Sequence, residues 1–574
     1  MPSRDEATAA IAADPRAAVE IAEDLWAEGR DDDALASLTD ACARFPDNGV
    51  LATCHADAMQ QVQRFAEAAA EYRRALTLDD SQFPAWFGLG WAELACGAYG
   101  AAIPSLRRAV ALRPERSEVH YNLAKCLFEL GEIDAALDHY RLAGGSAGSM
   151  LHREALASIA VIIPGSPRAD NAAVLQARRA WVALEPAADA ARAHSPSPSG
   201  KLRVGYVSAF FGALNWMKPV WGVINHHDRA QFEIHLFCDG KLPSVDSGYK
   251  DYPLDYIHNV TGAPNDGLAD YIARAGIDIL VDLNGYSFPD RIGLFMRRPA
   301  PAIVGWFNMY ATTGCSAFDY LIGDVAVIPA MEERFYSERV LRVPGSYLAF
   351  SVLYPVPEVA PPPCSAGKPL TFGCFGSQYK ITDEVVATWA SILRQVPRAR
   401  VLLRNRTLDN ESNRAALHAH FAEQGVANDR VLLDGAAEHF EFLSAYDRVD
   451  IALDTFPYNG GTTTMEALWQ GVPVLTFNGD RWASRTSRSL LLAARLPEWC
   501  TADRHAYVAE AVRLALSPMT PANLVLLRST MRQRLAATPV CNSAALCRAL
   551  ERFYRKIAAV PRTASRYNSI EHVN

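Results

Sequence analysis

The run Asp450-Ile-Ala-Leu-Asp-Thr-Phe-Pro-Tyr-Asn-Gly-Gly-Thr-Thr-Thr-Met-Glu-Ala-Leu-Trp-Gln-Gly-Val-Pro-Val-Leu475 strings together a strand, a tight loop, a helix and a second strand. Ile451 to Leu453 is a short apolar run suited to a buried parallel strand. Pro457, Asn459, Gly460 and Gly461 force a sharp loop. Thr462 to Thr464 open a helix that Met465, Ala467, Leu468 and Trp469 pack down, and Gly471 and Pro473 end it before Val472 to Leu475 begins the next strand. A glycine-rich loop feeding a helix start gathers unpaired N–H groups and the positive end of the helix dipole, a ready place for a diphosphate. Glu466, one turn in, is placed to reach ribose hydroxyls. The same pattern also fits an ordinary βα turn with a threonine N-cap.

The alternation continues on both sides of this run. Leu370 to Cys374 reads as a strand, Thr382 to Arg394 as a helix and Ala399 to Leu403 as a strand. A helix over Ser412 to Gln424, a strand at Val431 to Leu433 and a helix near Glu441 to Tyr446 follow, and Ala522 to Ala559 is helical. Earlier, strand-like runs stand at Leu202 to Ser208, Phe232 to Phe237, Ile277 to Leu283, Ile303 to Phe307 and Tyr320 to Ile322. Strands alternating with helices predict parallel sheets wrapped by helices. Pro355-Val-Pro-Glu-Val-Ala-Pro-Pro-Pro363 can carry neither helix nor central strand and separates two such units. Two doubly wound domains then face each other across a cleft at the C-terminal ends of their strands.

The first quarter is periodic. Ala34, Ala68, Ala102 and Ala136 recur every 34 residues, as do Leu38, Tyr72, Leu106 and Tyr140, and Ala41, Ala75, Ala109 and Ala143. With Trp86-x-x-Leu89-Gly90 and Pro46 and Pro114 closing units, this is the tetratricopeptide pattern, paired helices stacked into a solenoid. A concave surface for a protein partner is one reading; a dimerising or purely structural stack is another. The predicted organisation is a solenoid over 1–149, a helical bridge and linker over 150–200, one α/β domain over 201–360, a second over 361–560 and a tail over 561–574. His194-Ser-Pro-Ser-Pro-Ser-Gly-Lys201 is the linker.

Half the residues are apolar and 21% charged, with net charge −8, which predicts a soluble globular chain and argues against nucleic acid as partner. No apolar run long enough for a membrane span occurs, and Met1-Pro-Ser-Arg-Asp-Glu lacks the core of a signal peptide, so a cytoplasmic location is expected. None of the 11 cysteines forms a C-x-x-C pair, and no metal-ligand cluster is legible. His226-His227-Asp228 reads as a helix end.

The segments Arg203-Val-Gly-Tyr-Val-Ser208, Asp278-Ile-Leu-Val-Asp-Leu-Asn-Gly-Tyr286, Arg298-Pro-Ala-Pro301, Tyr379-Lys380-Ile381, Leu453-Asp-Thr-Phe-Pro-Tyr458, Thr462-Thr463-Thr464, Ala483-Ser-Arg485 and Pro539-Val-Cys-Asn542 occur in order. On them the chain resembles the tetratricopeptide-linked protein O-glycosyltransferases. That is the O-GlcNAc transferase family, which also holds the plant SPINDLY O-fucosyltransferases, and two of the motifs look nearer to SPINDLY and bacterial relatives. The resemblance implies a fold of α-solenoid plus α/β GT-B, two Rossmann-like domains facing a cleft. It implies an inverting, metal-independent transfer from a nucleotide sugar to Ser or Thr of a protein, with no cofactor and UDP-GlcNAc as the first expected donor.

On the same resemblance Lys380 is the catalytic candidate, contacting the donor diphosphate as the glycosidic bond breaks. Donor binding falls to Gln378, Tyr379, Lys380, Gly460, Gly461, Thr462, Thr463 and Glu466. The acceptor side departs from the family: Phe210 and Leu214 stand where an Asp and a His are usual, Gly461 where the animal enzyme has a His, and Met309-Tyr-Ala-Thr312 replaces a Tyr-Pro-Gly-Thr loop. Asn215, Lys218, Asn284 and Thr312 are the acceptor-side candidates, and Trp216, Pro219 and Trp221 read equally as core. The alternatives are GDP-fucose or another sugar, as on a bacterial surface or flagellar protein, or a nucleotide-sugar-binding scaffold without turnover. A homodimer is compatible with the solenoid.

Overall fold

The structure is a computed structural model that describes residues 14–145, 150–186 and 199–559. The opening residues, most of the predicted linker and the 561–574 tail lie outside them, as does the side chain of Asn215.

The 34-residue period is the packing period of the solenoid. Helices run in antiparallel pairs from Pro15–Ala27 through Ile133–Ala143. Ala34, Ala68, Ala102 and Ala136 are fully buried, and so are Leu38, Tyr72 and Leu106, with Tyr140 at 3% exposure. Small residues let the paired helices close up while the bulky ones fill the seam. The bridge caps this stack: helix Met150–Ile162 packs on Ile133–Ala143, and helix Asn171–Val182 follows, its start held by the Asp170 carboxylate.

Both α/β units have the predicted parallel sheets. The first has strand order β3-β2-β1-β4-β5-β6-β7, with β1 at Leu202–Ser208, β2 at Phe232–Cys238, β3 at Tyr256–Asn259, β4 at Ile279–Asp282, β5 at Ala302–Gly305, β6 at Tyr320–Gly323 and β7 at Arg339–Arg342. The second has order β10-β9-β8-β11-β12-β13, with β8 at Thr371–Cys374, β9 at Arg400–Arg404, β10 at Val431–Asp434, β11 at Ile451–Leu453, β12 at Val474–Phe477 and β13 at Cys500–Thr501. Strands β3, β7 and β13 escape a reading by hydrophobic runs. They are edge strands, and their partly solvated residues have no reason to form one. Strand order reverses between β1 and β4 and between β8 and β11, so each sheet opens a crevice there at its C-terminal end.

The chain crosses back at its end. Helix Thr520–Ala536 packs on the second unit, but Ser543–Ala559 lies on helix Leu214–Ile224 of the first. His227 ties it down, facing the Tyr206 hydroxyl at 2.7 Å and the Glu551 carboxylate at 3.1 Å. The two units also meet through Arg485 with Glu332 and through Ser489 with Asp324.

The solenoid grips the second unit. Asn413 accepts from Gly100 N–H and donates to the Gly97 carbonyl, both at 2.8 Å. Gly131, at φ +92°, sits so close to the Ile381 carbonyl that a side chain there has no room. Phe128 stacks on Tyr379 at 4.9 Å. The bridge grips the first unit: buried Arg178 donates to the Met309 and Thr312 carbonyls at 3.1 and 2.6 Å and lies over the Tyr286 ring.

Candidate active site

The loops after β8 and β11 flank the reversal point of the second sheet, and they carry Ser377–Lys380 and Asp454–Gly461. Asp454 builds the second loop. Its carboxylate accepts from Thr455 and Gly460 N–H at 3.0 and 2.9 Å and from the Thr476 hydroxyl at 2.7 Å. Asn459 donates to the Thr455 carbonyl at 2.7 Å and hangs from Ala483 by its own N–H. The tied loop ends at Gly461, where helix Thr462–Trp469 starts with no side-chain cap. Gly461, Thr462 and Thr463 line the open cleft, so this uncapped helix start stands in its wall.

Lys380 comes from the opposite loop. Its ammonium donates to the Asn459 carbonyl at 2.9 Å and lies 4.1 Å over the Tyr458 ring. Burial lowers its pKa to about 8, and the nearby Asp454 carboxylate opposes that shift. One cation and one uncapped helix start thus share a cleft of about 350 Å³ between the two units.

The far end of the cleft is built around Glu466. Lys218, from the first unit, pairs with its carboxylate, lies 2.9 Å from Nε2 of His439 and sits 4.3 Å over the Tyr354 ring. Burial raises the Glu466 pKa and lowers that of Lys218, and the pairing opposes both shifts. Burial first, and then the Lys218 charge, hold His439 down to about 4. His439 is therefore neutral near pH 7, and its Nε2 accepts from the ammonium. Its ring offers a flat face rather than a base.

The predicted site residues divide. Tyr379, Lys380, Gly461, Thr462, Thr463 and Glu466 line the cleft. Gly460 lies behind it with its N–H spent on Asp454. Gln378 turns away, accepting from Asn405 at 3.2 Å on the solenoid side, because the 3-10 turn Gln378–Lys380 puts Ser377 and Lys380 inward. Thr312 is buried away from the cleft lining, and its hydroxyl donates to buried Glu338 at 2.8 Å. Asn284 is also fully buried, accepting from Ala209 N–H at 2.8 Å beneath the cleft. Lys218 is outside the cleft lining, with its ammonium paired to Glu466. Trp216 and Trp221 part company: Trp221 is core, while Trp216 stacks on Phe210 at 4.7 Å and lines the cleft.

His439, Ser377 and Asn308 line the cleft without having been legible as site residues. The available signal for His439 was its place just past β10, at the sheet edge where doubly wound folds hold ligands. Two groupings, Cys42 with His55 and Glu71, and His227 with Cys547 and Glu551, bring possible metal ligands within 4.8 Å, which no spacing had announced. Both are already joined by hydrogen bonds among themselves and to Arg74 or Arg548, and neither lines the cleft.

Comparison with known proteins converges on this architecture. The profile of glycosyl transferase family 41 matches residues 174–351 and 366–550, more than half of the chain, and tetratricopeptide repeat profiles match 55–111 and 93–144. A Solanum lycopersicum protein described as a probable UDP-N-acetylglucosamine--peptide N-acetylglucosaminyltransferase SPINDLY is 29% identical over 372 residues, covering 63% of this chain and 39% of the relative. An Oryza sativa subsp. japonica protein of the same description is 32% identical over 364 residues, covering 62% and 39%. The chain thus matches well under half the length of these relatives. A solved structure of a Thermobaculum terrenum O-GlcNAc transferase mutant superposes with TM-score 0.71 at 30% identity, covering 89% of this chain and 97% of that one.

Proposed function

The chain belongs to glycosyl transferase family 41, and from that premise we propose that it is an inverting, metal-independent protein O-glycosyltransferase. It moves a sugar, GlcNAc from UDP-GlcNAc in the first instance, to a Ser or Thr hydroxyl of a protein chosen by the solenoid. The observation that carries this is the convergence of the Lys380 ammonium and the uncapped start of helix Thr462–Trp469 on one cleft. As the glycosidic bond breaks, the departing diphosphate gains negative charge. A fixed ammonium and oriented N–H groups stabilise that charge without waiting for solvent to reorganise. His439 and Glu466 flank the nucleoside end, His439 with a ring face and Glu466 with a carboxylate held in place by Lys218. Glu466 so paired is not free to act as a general base.

A second reading concerns the sugar. The segment after β1 meets the cleft with Trp216 stacked on Phe210, an aromatic surface where the family pattern has an Asp and a His. That favours weighing GDP-fucose and other nucleotide sugars beside UDP-GlcNAc.

The test is thermal unfolding of the purified chain with each of a panel of nucleotides and nucleotide sugars. A ligand at about 100 times its Kd stabilises by about 2.7 kcal/mol. We expect one nucleotide series to do so, and Lys380→Met to abolish the shift. Absence of any shift across the panel overturns the donor site and leaves a scaffold without turnover.

A further inference from the structure

Behind the cleft lies a smaller cavity of about 140 Å³. It shares Asn308, Tyr310, Tyr379 and Tyr458 with the cleft, so the two adjoin across these side chains. Its far wall comes from outside the α/β units: Phe128 and Ile133 of the last solenoid repeat, and Val161, Ile162 and Pro164 of the bridge. A cavity near this size with apolar walls holds a benzene-sized group. A donor site alone has no use for a wall borrowed from a solenoid.

The loop after β5 forms the threshold between the two spaces, and it is strained. Phe307 and Tyr310 both adopt left-handed backbone, at φ +73° and +53°, which is unusual for bulky side chains. Between them Asn308 has its carbonyl wedged against Gly285, itself at φ +51° and with no room for a Cβ. Arg178 pins the far side of the loop through the Met309 carbonyl. Asn308 is 3% exposed, and its buried Nδ2 has no hydrogen-bond partner. A buried amide without a partner is costly, and strained backbone adds to that cost. Both costs persist where a ligand completes the arrangement.

We propose that this cavity is an acceptor subsite: it takes the apolar side chain of a residue adjacent to the glycosylated Ser or Thr, while Asn308 donates its amide to that residue's main-chain carbonyl. The assignment rests on the proposed glycosyl transfer to protein. Position favours the acceptor over the donor. The helix start, Glu466 and His439 lie on the second unit, where the nucleoside and diphosphate are proposed to bind, while the cavity's wall includes Phe128 and Ile133 of the solenoid that would deliver a protein chain.

The test uses the full chain with two blocked peptides, acetyl-Leu-Ser-Leu-amide and acetyl-Gly-Ser-Gly-amide, and with free N-acetylglucosamine. Binding is read by saturation-transfer NMR and calorimetry, with and without UDP. Burying one leucine predicts at least about tenfold tighter binding of the leucine peptide. Gly165→Leu fills the cavity from a turn where a Cβ meets Tyr458 at an ordinary 3.8 Å, and it is expected to erase that preference while leaving UDP binding unchanged. Asn308→Leu is expected to weaken both peptides alike, about five- to tenfold. Equal binding of the two peptides, or a preference that survives Gly165→Leu, overturns the subsite. So does saturation of the N-acetylglucosamine methyl that Gly165→Leu abolishes, since the cavity would then belong to the sugar. Failure of UDP to bind bears on the donor site alone, because the peptide preference is measured without nucleotide as well.

Discussion

Lys218 and Glu466 stand on different α/β units, 248 positions apart in the chain, and meet as an ion pair whose side chains are 1% and 6% exposed. A buried pair of this kind adds little net stability over an apolar replacement, but removing one partner strands the other charge. Lys218→Met is therefore expected to destabilise the protein by about 3–5 kcal/mol, and Lys218→Met with Glu466→Gln to regain most of that loss. Urea unfolding followed by tryptophan fluorescence compares the two. Equal losses in the single and double variants would mean the pair is energetically idle.

Lys380 carries a pH signature of two opposite signs. Its native pKa of about 8 lies below the ordinary 10.5. Between those values the unfolded chain holds more protons than the folded one, so this residue makes stability rise with pH across that window. Nucleotide affinity moves the other way, since the diphosphate needs the ammonium. UDP affinity is expected to fall by up to tenfold per pH unit above about 8, and binding at pH 8.5 to take up protons. Calorimetry in buffers of differing ionisation enthalpy measures the uptake. Binding with no proton uptake would show that Lys380 keeps its charge throughout.

Gly460 lies behind the cleft lining, yet its substitution is expected to damage the site. A Cβ there meets the Thr464 hydroxyl at 2.5 Å and that of Thr463 at 2.9 Å. Gly460→Ala pushes the threonines off the helix start and is expected to weaken UDP about ten- to a hundredfold, since a small misplacement of binding groups is costly. Thermal stability changes little if the helix moves as a unit. Unchanged UDP affinity would mean that the N–H groups alone hold the diphosphate.

The solenoid's dock is the fourth point of attack. Asn413→Ala removes both hydrogen bonds to Gly97 and Gly100, at a cost of about 1–3 kcal/mol. The expected result is earlier proteolytic release of the solenoid, with UDP binding intact. Loss of UDP binding as well would show that the repeats hold the loop of Tyr379 and Lys380 in place.

How much of this was legible depends on where each signal lives. The repeats were readable because one spacing controls three sets of buried residues, from Ala34 to Ala143. The central strands were readable because burial on both faces makes apolar runs, and β3, β7 and β13 lack them for the same reason. The threonines came from a local strand-loop-helix pattern, whereas Lys380 was found only through the family resemblance. Gln378 shows the limit: a one-residue turn of a 3-10 segment sends it to the solenoid and Ser377 to the cleft. Lys218 with Glu466, and Asn308 between the two cavities, depend on contacts between separate units. No local periodicity encodes them.

The clamp formed by Asn413 on Gly97 and Gly100 falls in the third repeat, and Gly131 on Ile381 in the fourth. The repeats ahead of them, through Leu78, lie upstream of every anchor described above. The molecule is thereby split into a fixed socket and an exchangeable cassette. A new recognition surface can be grafted by replacing the leading repeats, provided the join is made before Phe83 and the socket is left whole.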